Sequence, residues 1–192
     1  RYSAPDDRVT LRASAVEPDI RVEAQQTLSL GEDRTVLAAA PRVAITRAGI
    51  FRLSFPLPDG LEVESVAGDA LSHWTELKST TNRVVTLHLK SRTEGTQAFT
   101  VTLAGPGVRP TTNWLSPRLA LREASKQVGQ LVVVPEQGLR LQVGVRDGLT
   151  QLDPVQAGIR QKGVVAFRIF QTDWRLNLDL ERVDAWTQVK IG

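Results

Sequence analysis

The sequence predicts an all-β protein, a two-layer antiparallel β-sandwich with little helix. Three observations lead there. Apolar residues recur at every second position over short runs, Gly, Pro, Asn and Asp clusters separate the runs, and only two segments carry helix-start signals. Alternation buries one face of each strand, and a stack of such strands closes its core by packing a second sheet on the first.

In order along the chain, Val9, Leu11, Ala13 and Ala15 alternate with polar residues, and Ile20, Val22 and Ala24 resume the period after Glu17-Pro18-Asp19, giving two half-buried strands. Gly31-Glu32-Asp33 reads as a turn. Val36 to Ala40 and Val43 to Thr46 follow, with Pro41 between them pointing to an edge or a bulge, since proline cannot donate to a ladder.

The clearest stretch runs from Gly49 to Gly68. Phe51, Leu53, Phe55 and Leu57 alternate with Arg52 and Ser54, Pro58-Asp59-Gly60 makes a tight turn, and Leu61 and Val63 alternate with Glu62 and Glu64. Leu71 to Lys78, Val84 to Leu89 and Phe99 to Leu103 continue as short strands between polar turns. Gly105 to Asn113 is the strongest interruption and the possible subdomain boundary (105–113). The whole chain, 1–192, is still expected to form one module, because the second half offers fewer strands than a sandwich needs.

That half contains strands at Gln130 to Val134, Leu139 to Val145, Val164 to Phe170, Trp174 to Arg182 and Trp186 to Ile191. Of the two segments with helix-start signals, Arg118 to Glu123 is assigned as strand and Asp153 to Gly158 as a turn. Leu131 to Val134 and Val164 to Phe167 are continuously apolar, the mark of strands covered on both faces.

Composition narrows the function classes. A chain of 192 residues buries enough surface to need no crosslink, and with no cysteine it has no disulfide, thiolate metal site or cysteine nucleophile. The first residue is Arg1 and there is no methionine, so a module excised from a longer chain is expected. The net charge is +3, and the 24 Lys and Arg residues, 5 of them Lys, are scattered over polar strand positions without a run, which argues against nucleic acid. No segment has the length of a membrane span.

Chemistry-bearing constellations are sparse. His73 and His88 lie in separate strands without companion ligands, and no phosphate loop, His-Glu-x-x-His or Gly-x-Ser-x-Gly occurs. Glu62 with Glu64, and Asp179 with Glu181, share a strand face, as any amphipathic strand allows. No catalytic residue, metal site or cofactor is therefore assigned, and the chain is expected not to be an enzyme. The tryptophans say more. Trp174 shares parity with Leu176, Leu178 and Leu180 and belongs to the core, whereas Trp74 and Trp186 align with polar neighbours and Trp114 lies in the Pro-rich connection. Trp74, Trp114 and Trp186 are the candidate ligand-binding residues, because exposed indoles stack on the apolar faces of sugar rings.

The stretch from Gly49 to Trp74, followed by Arg83-Val84-Val85-Thr86-Leu87 and Thr100-Val101-Thr102-Leu103, resembles β-sandwich modules of large bacterial envelope proteins, and more distantly the amino-terminal β domain of M1-type aminopeptidases. Gln127 to Val133, Ala166-Phe167-Arg168 and Trp174-Arg175-Leu176 are similar to the continuation of the same envelope proteins. The aminopeptidase zinc motif has no counterpart here. The resemblance implies a non-catalytic structural or interaction module of a secreted or cell-envelope bacterial protein, extracytoplasmic, with other domains of its polypeptide or an envelope protein as partner. A carbohydrate-binding module taking a glycan, and an accessory β domain of a hydrolase, are the alternatives.

Overall fold

A computed structural model describes residues 11–184, which form twelve strands and no helix. They are β1 (Asp19–Leu30), β2 (Arg34–Pro56), β3 (Glu62–Ala67), β4 (Leu71–Lys78), β5 (Arg83–Ala98), β6 (Thr100–Pro106), β7 (Thr111–Leu115), β8 (Lys126–Pro135), β9 (Leu139–Asp147), β10 (Leu149–Leu152), β11 (Val165–Ile169) and β12 (Arg175–Arg182). Nine strands make a large sheet in the order β10-β11-β8-β1-β2-β5-β4, with β6 joined to β2 and β3 to β6, and β7-β12-β9 make a small one. Every pair is antiparallel except β1 with β8. The all-β, two-sheet architecture is the one expected.

The alternation in β1 is complete: Ile20, Val22, Ala24, Gln26, Leu28 and Leu30 are buried and the residues between them are not. Long β2 pairs with β1 on one side and, on the other, with β6 at its start and β5 further along. Pro41 lies inside this central strand, which corrects the edge or bulge expected of it. Its carbonyl accepts from the Phe99 N–H at 3.0 Å, so its donorless nitrogen faces the break between β5 and β6, where the ladder is already interrupted. The strands either side of the Pro58-Asp59-Gly60 turn do not pair with each other, because β3 is taken by β6.

Three local expectations are corrected. Residues 11–18 carry no strand and are exposed; their alternation finds no partner among the described residues, and Val9 lies outside these. Thr111 to Asn113, read as part of a break, opens strand β7, whose Thr111, Trp114 and Leu115 pair with β12 across an irregular register, with Asn113 at φ 57°. Arg118 to Glu123 is neither strand nor helix. Leu119 and Leu121 are buried, and the backbone there is satisfied by side chains: the Gln127 carboxamide accepts from Leu121 N at 3.0 Å and donates to Leu119 O at 2.8 Å. Asp153 to Gly158 is the single turn expected, with Ala157 N donating to Asp153 O. The Trp186 to Ile191 strand lies outside the described residues.

Buried residues of both sheets join one core, which runs from Ile20, Leu28 and Leu53 in the large sheet to Leu176, Leu178 and Leu180 in β12. Trp174, at 2% exposure, sits within it, as its parity requires. On β8 the second face, at Val132 and Val134, is half-buried rather than fully covered, whereas in Val164 to Phe167 both faces are covered, with Val164, Ala166 and Phe167 buried and Val165 half-buried against the core. Residues 105–113 carry the chain from β6 of the large sheet into β7 of the small one. No described helix is long and apolar enough to cross a membrane, which leaves strand-based crossing unaddressed.

Candidate functional site

The two sheets meet at an open cleft of about 780 Å³, inside the size range of small-molecule sites. One wall is the turn after β2. Gly60 takes φ 77°, the Leu61 N–H donates to Pro58 O at 3.2 Å, and the turn lies so close to β6 that a Cβ on Gly105 would stand 2.2 Å from the Gly60 carbonyl oxygen. Gly107 approaches the β1–β2 turn as closely, since a Cβ there would meet the Glu32 carbonyl oxygen at 1.8 Å. These backbone contacts fix where β6 ends and 107–110 begins. The facing wall is β7, the irregular 116–120 connection, and Trp174 with Arg175 at the start of β12.

The lining combines rigid apolar surface with cationic groups. Pro56, Pro58, Pro106 and Pro117 contribute rings of low conformational freedom, and half-buried Trp114 adds a broad face. Arg109, Arg118 and Arg175 line the same space against a single acid, Asp59, and none of the three arginines forms an ion pair among the described residues. Arg118 is held in place by donating from Nη1 to Trp174 O at 3.0 Å. Two residues of the lining, Trp174 and Thr35, hold polar atoms that lie beneath the cleft surface, out of contact with its open space, and have no partner among the described residues.

Of the candidate tryptophans, Trp114 lines this cleft. Trp74 does not: it lies on edge strand β4 opposite Leu87, 37% exposed. Its partner Leu87 is buried, so the indole occupies the inward face of an edge that nothing covers fully. Trp186 lies outside the described residues. The arginines were missed because each sits in a different segment and no linear spacing joins them.

The paired acids separate. Glu62 bonds Arg83, which also reaches Glu76 Oε1 at 2.7 Å, while Glu64 bonds Arg34. The Arg83 bond holds the Glu62 carboxyl below its ordinary value of 4.5, and the two carboxylates hold the Arg83 guanidinium above its usual range. Asp179 accepts from Asn113 N at 2.6 Å and thereby fastens β12 to β7. His73 and His88 are brought face to face across β4 and β5, ring centroids 4.5 Å apart and planes within 7°. Lone pairs lie in the ring plane, so stacked rings do not aim them at a common point, and His88 Nε2 is engaged with Thr75 Oγ1 at 2.9 Å. No group of three or more metal-ligating side chains converges among the described residues.

No family model matches the sequence, and no curated protein matches it. Solved structures do. Yeast leukotriene A4 hydrolase in complex with bestatin matches 93% of this chain with a TM-score of 0.53 at 9% identity, and the chain covers 32% of that protein. The native enzyme from Saccharomyces cerevisiae gives 0.52 at 10% identity, with 84% of this chain and 29% of that one covered. An M1 zinc metallopeptidase from Deinococcus radiodurans gives 0.46 at 13% identity, covering 84% and 42%. The chain thus spans less than half the length of these hydrolases, and its likeness to the yeast enzyme is a shared fold.

Proposed function

We propose that the chain is a non-catalytic β module of a larger protein, to which it contributes a binding cleft at the junction of its two sheets. The observation that carries this reading is the cleft itself: proline and tryptophan walls with three arginines that form no ion pair among the described residues. Such a lining binds and orients, and its one carboxylate, Asp59, has no histidine or second acid beside it in the lining to share acid–base work. The match of this chain to 32% of the yeast hydrolase supports an accessory place beside a hydrolase-type partner domain. A secreted or envelope setting rests on the strand-pattern resemblance and belongs to the same proposal.

The test is a fragment screen followed by nuclear magnetic resonance, run beside a panel of chromogenic peptide, ester and glycoside substrates. Fragments are expected to shift the Trp114 and Trp174 indole signals while no substrate turns over. Turnover abolished by substitutions in the cleft, or fragments that gather elsewhere and leave both indoles unmoved, would overturn the reading.

A further inference from the structure

We infer that the cleft between the sheets is a site for a small amphipathic carboxylate, an apolar ring or chain that ends in one anionic group. The inference rests on the cleft being a binding site and adds the chemistry of its ligand. Two features select that class. The first is charge: Arg109, Arg118 and Arg175 outnumber Asp59, and a planar guanidinium matches a carboxylate with two parallel hydrogen bonds. Arg118 is already oriented by its bond to Trp174 O, so little of its freedom remains to be lost when an anion arrives.

The second feature is the wall. Trp114, Leu61, Val108 and the four prolines form a surface that a polar sugar or a small inorganic anion would leave unsatisfied, and that an apolar body covers. A cationic ligand would meet three like charges, and a neutral one would leave the arginines desolvated without a partner.

The experiment uses the whole 192-residue chain, titrated by calorimetry and tryptophan fluorescence with decanoate, decanol and decyltrimethylammonium, all below their micellar concentrations, and with acetate. Decanoate is expected to bind with a stoichiometry of one. Decanol and acetate should each bind about tenfold more weakly or worse, since one lacks the charged hydrogen bonds and the other the apolar body, and decyltrimethylammonium should not compete. Arg109→Ala and Arg175→Ala, at exposed positions that the fold does not depend on, should each weaken decanoate about tenfold. Arg118→Ala should weaken it further, read only if its unfolding curve matches the parent. Equal binding of decanoate and decanol at the cleft overturns the anionic class and leaves the cleft standing as a site. Decanoate binding that survives both exposed substitutions places the ligand elsewhere and overturns the assignment. Failure of all four probes to bind overturns the assignment of a small amphipathic ligand, and if fragments also leave the cleft untouched the binding reading falls with it.

Discussion

Gln127 and Leu121 are joined as two strands would be, except that one partner is a side chain. The carboxamide presents an acceptor to Leu121 N and, through Nε2, a donor to Leu119 O, copying the acceptor and donor of a neighbouring peptide group. Buried Gln26 adds a second donor to Leu119 O at 3.3 Å. Gln127→Ala leaves the Leu121 N–H buried without a partner and is expected to cost about 2 kcal/mol or more. Gln127→Glu keeps the acceptor but turns an oxygen on the Leu119 carbonyl, and should lose no less. Urea unfolding of both variants measures the effect, and parent-like midpoints would show that the connection is held by the Leu119 and Leu121 side chains alone.

Gly129 is where the single parallel ladder, β1 with β8, admits no side chain. Its φ is +150° and a Cβ would stand 1.9 Å from the Ala24 carbonyl oxygen, an atom of the partner backbone that cannot step aside. Gly129→Ala is therefore expected to destabilise by about 3 kcal/mol or more. Gly158→Ala is the control for backbone strain alone. It has φ +77° with no atom within 4 Å of the added carbon, and should cost about 1–2 kcal/mol. Thermal unfolding that ranks the two equally would mean the ladder yields at Gly129.

What the sequence disclosed and what it hid divide along one physical line. Alternation reports which face of a strand is buried, so Ile20 to Leu30 and Trp174 to Leu180 were legible residue by residue. Pairing is decided by partners far along the chain. Nothing local to Glu62 says that β3 joins β6 rather than β2, and His73 gives no hint that a register shift beside Leu71 sets it opposite His88. Thr111 to Leu115 was obscured by the flanking prolines and by Asn113, whose positive φ bends the strand. The Leu119 segment passes for a strand because a glutamine satisfies it as a strand would. For the candidate site, Trp114 was visible as an indole in an unusual place, whereas Arg109, Arg118 and Arg175 acquire meaning only when folding brings their segments to one cleft.

Arg83 ties three segments together: it bonds Glu62 of β3, Glu76 of β4 and the Leu61 carbonyl oxygen from its place at the start of β5. Because the bond to Arg83 lowers the Glu62 carboxyl below its ordinary 4.5, the folded state binds protons less readily than the unfolded chain. The stabilisation is complete above that ordinary value and is lost as pH falls through the depressed folded value. Asp19, held below its ordinary 3.8 by the Ser125 hydroxyl and Arg21, behaves the same way at slightly lower pH. Glu62 is exposed and Asp19 half-buried at the surface, so the effect is modest and screened by salt. Denaturant midpoints followed from neutral pH down to about pH 3 should fall more steeply for the parent than for Glu62→Gln. Identical slopes would remove Glu62 from the account of acid sensitivity.

The connection from Gly105 to Asn113 is expected to behave as part of the folded core rather than as a hinge between two domains. Composition marks it as the weakest point of the chain, yet its backbone is closely held: Val108 N donates to Gly31 O at 2.9 Å, Gly105 and Gly107 abut the backbone of Gly60 and Glu32, and Val108 is buried. The segments it joins share one core, in which Leu176 and Leu178 pack with residues of the large sheet. A division here would separate β8, β10 and β11, which follow it in the chain, from the other six strands of the large sheet and break the β1–β8 ladder. Limited proteolysis should therefore spare 105–113 until global unfolding, with early cleavage confined to exposed segments such as 11–18. Gly107→Ala, whose added carbon would meet the Glu32 carbonyl, should both destabilise the chain and make this stretch cleavable. Two stable fragments divided at 105–113, each with its own cooperative unfolding, would establish two domains and refute the single-module expectation.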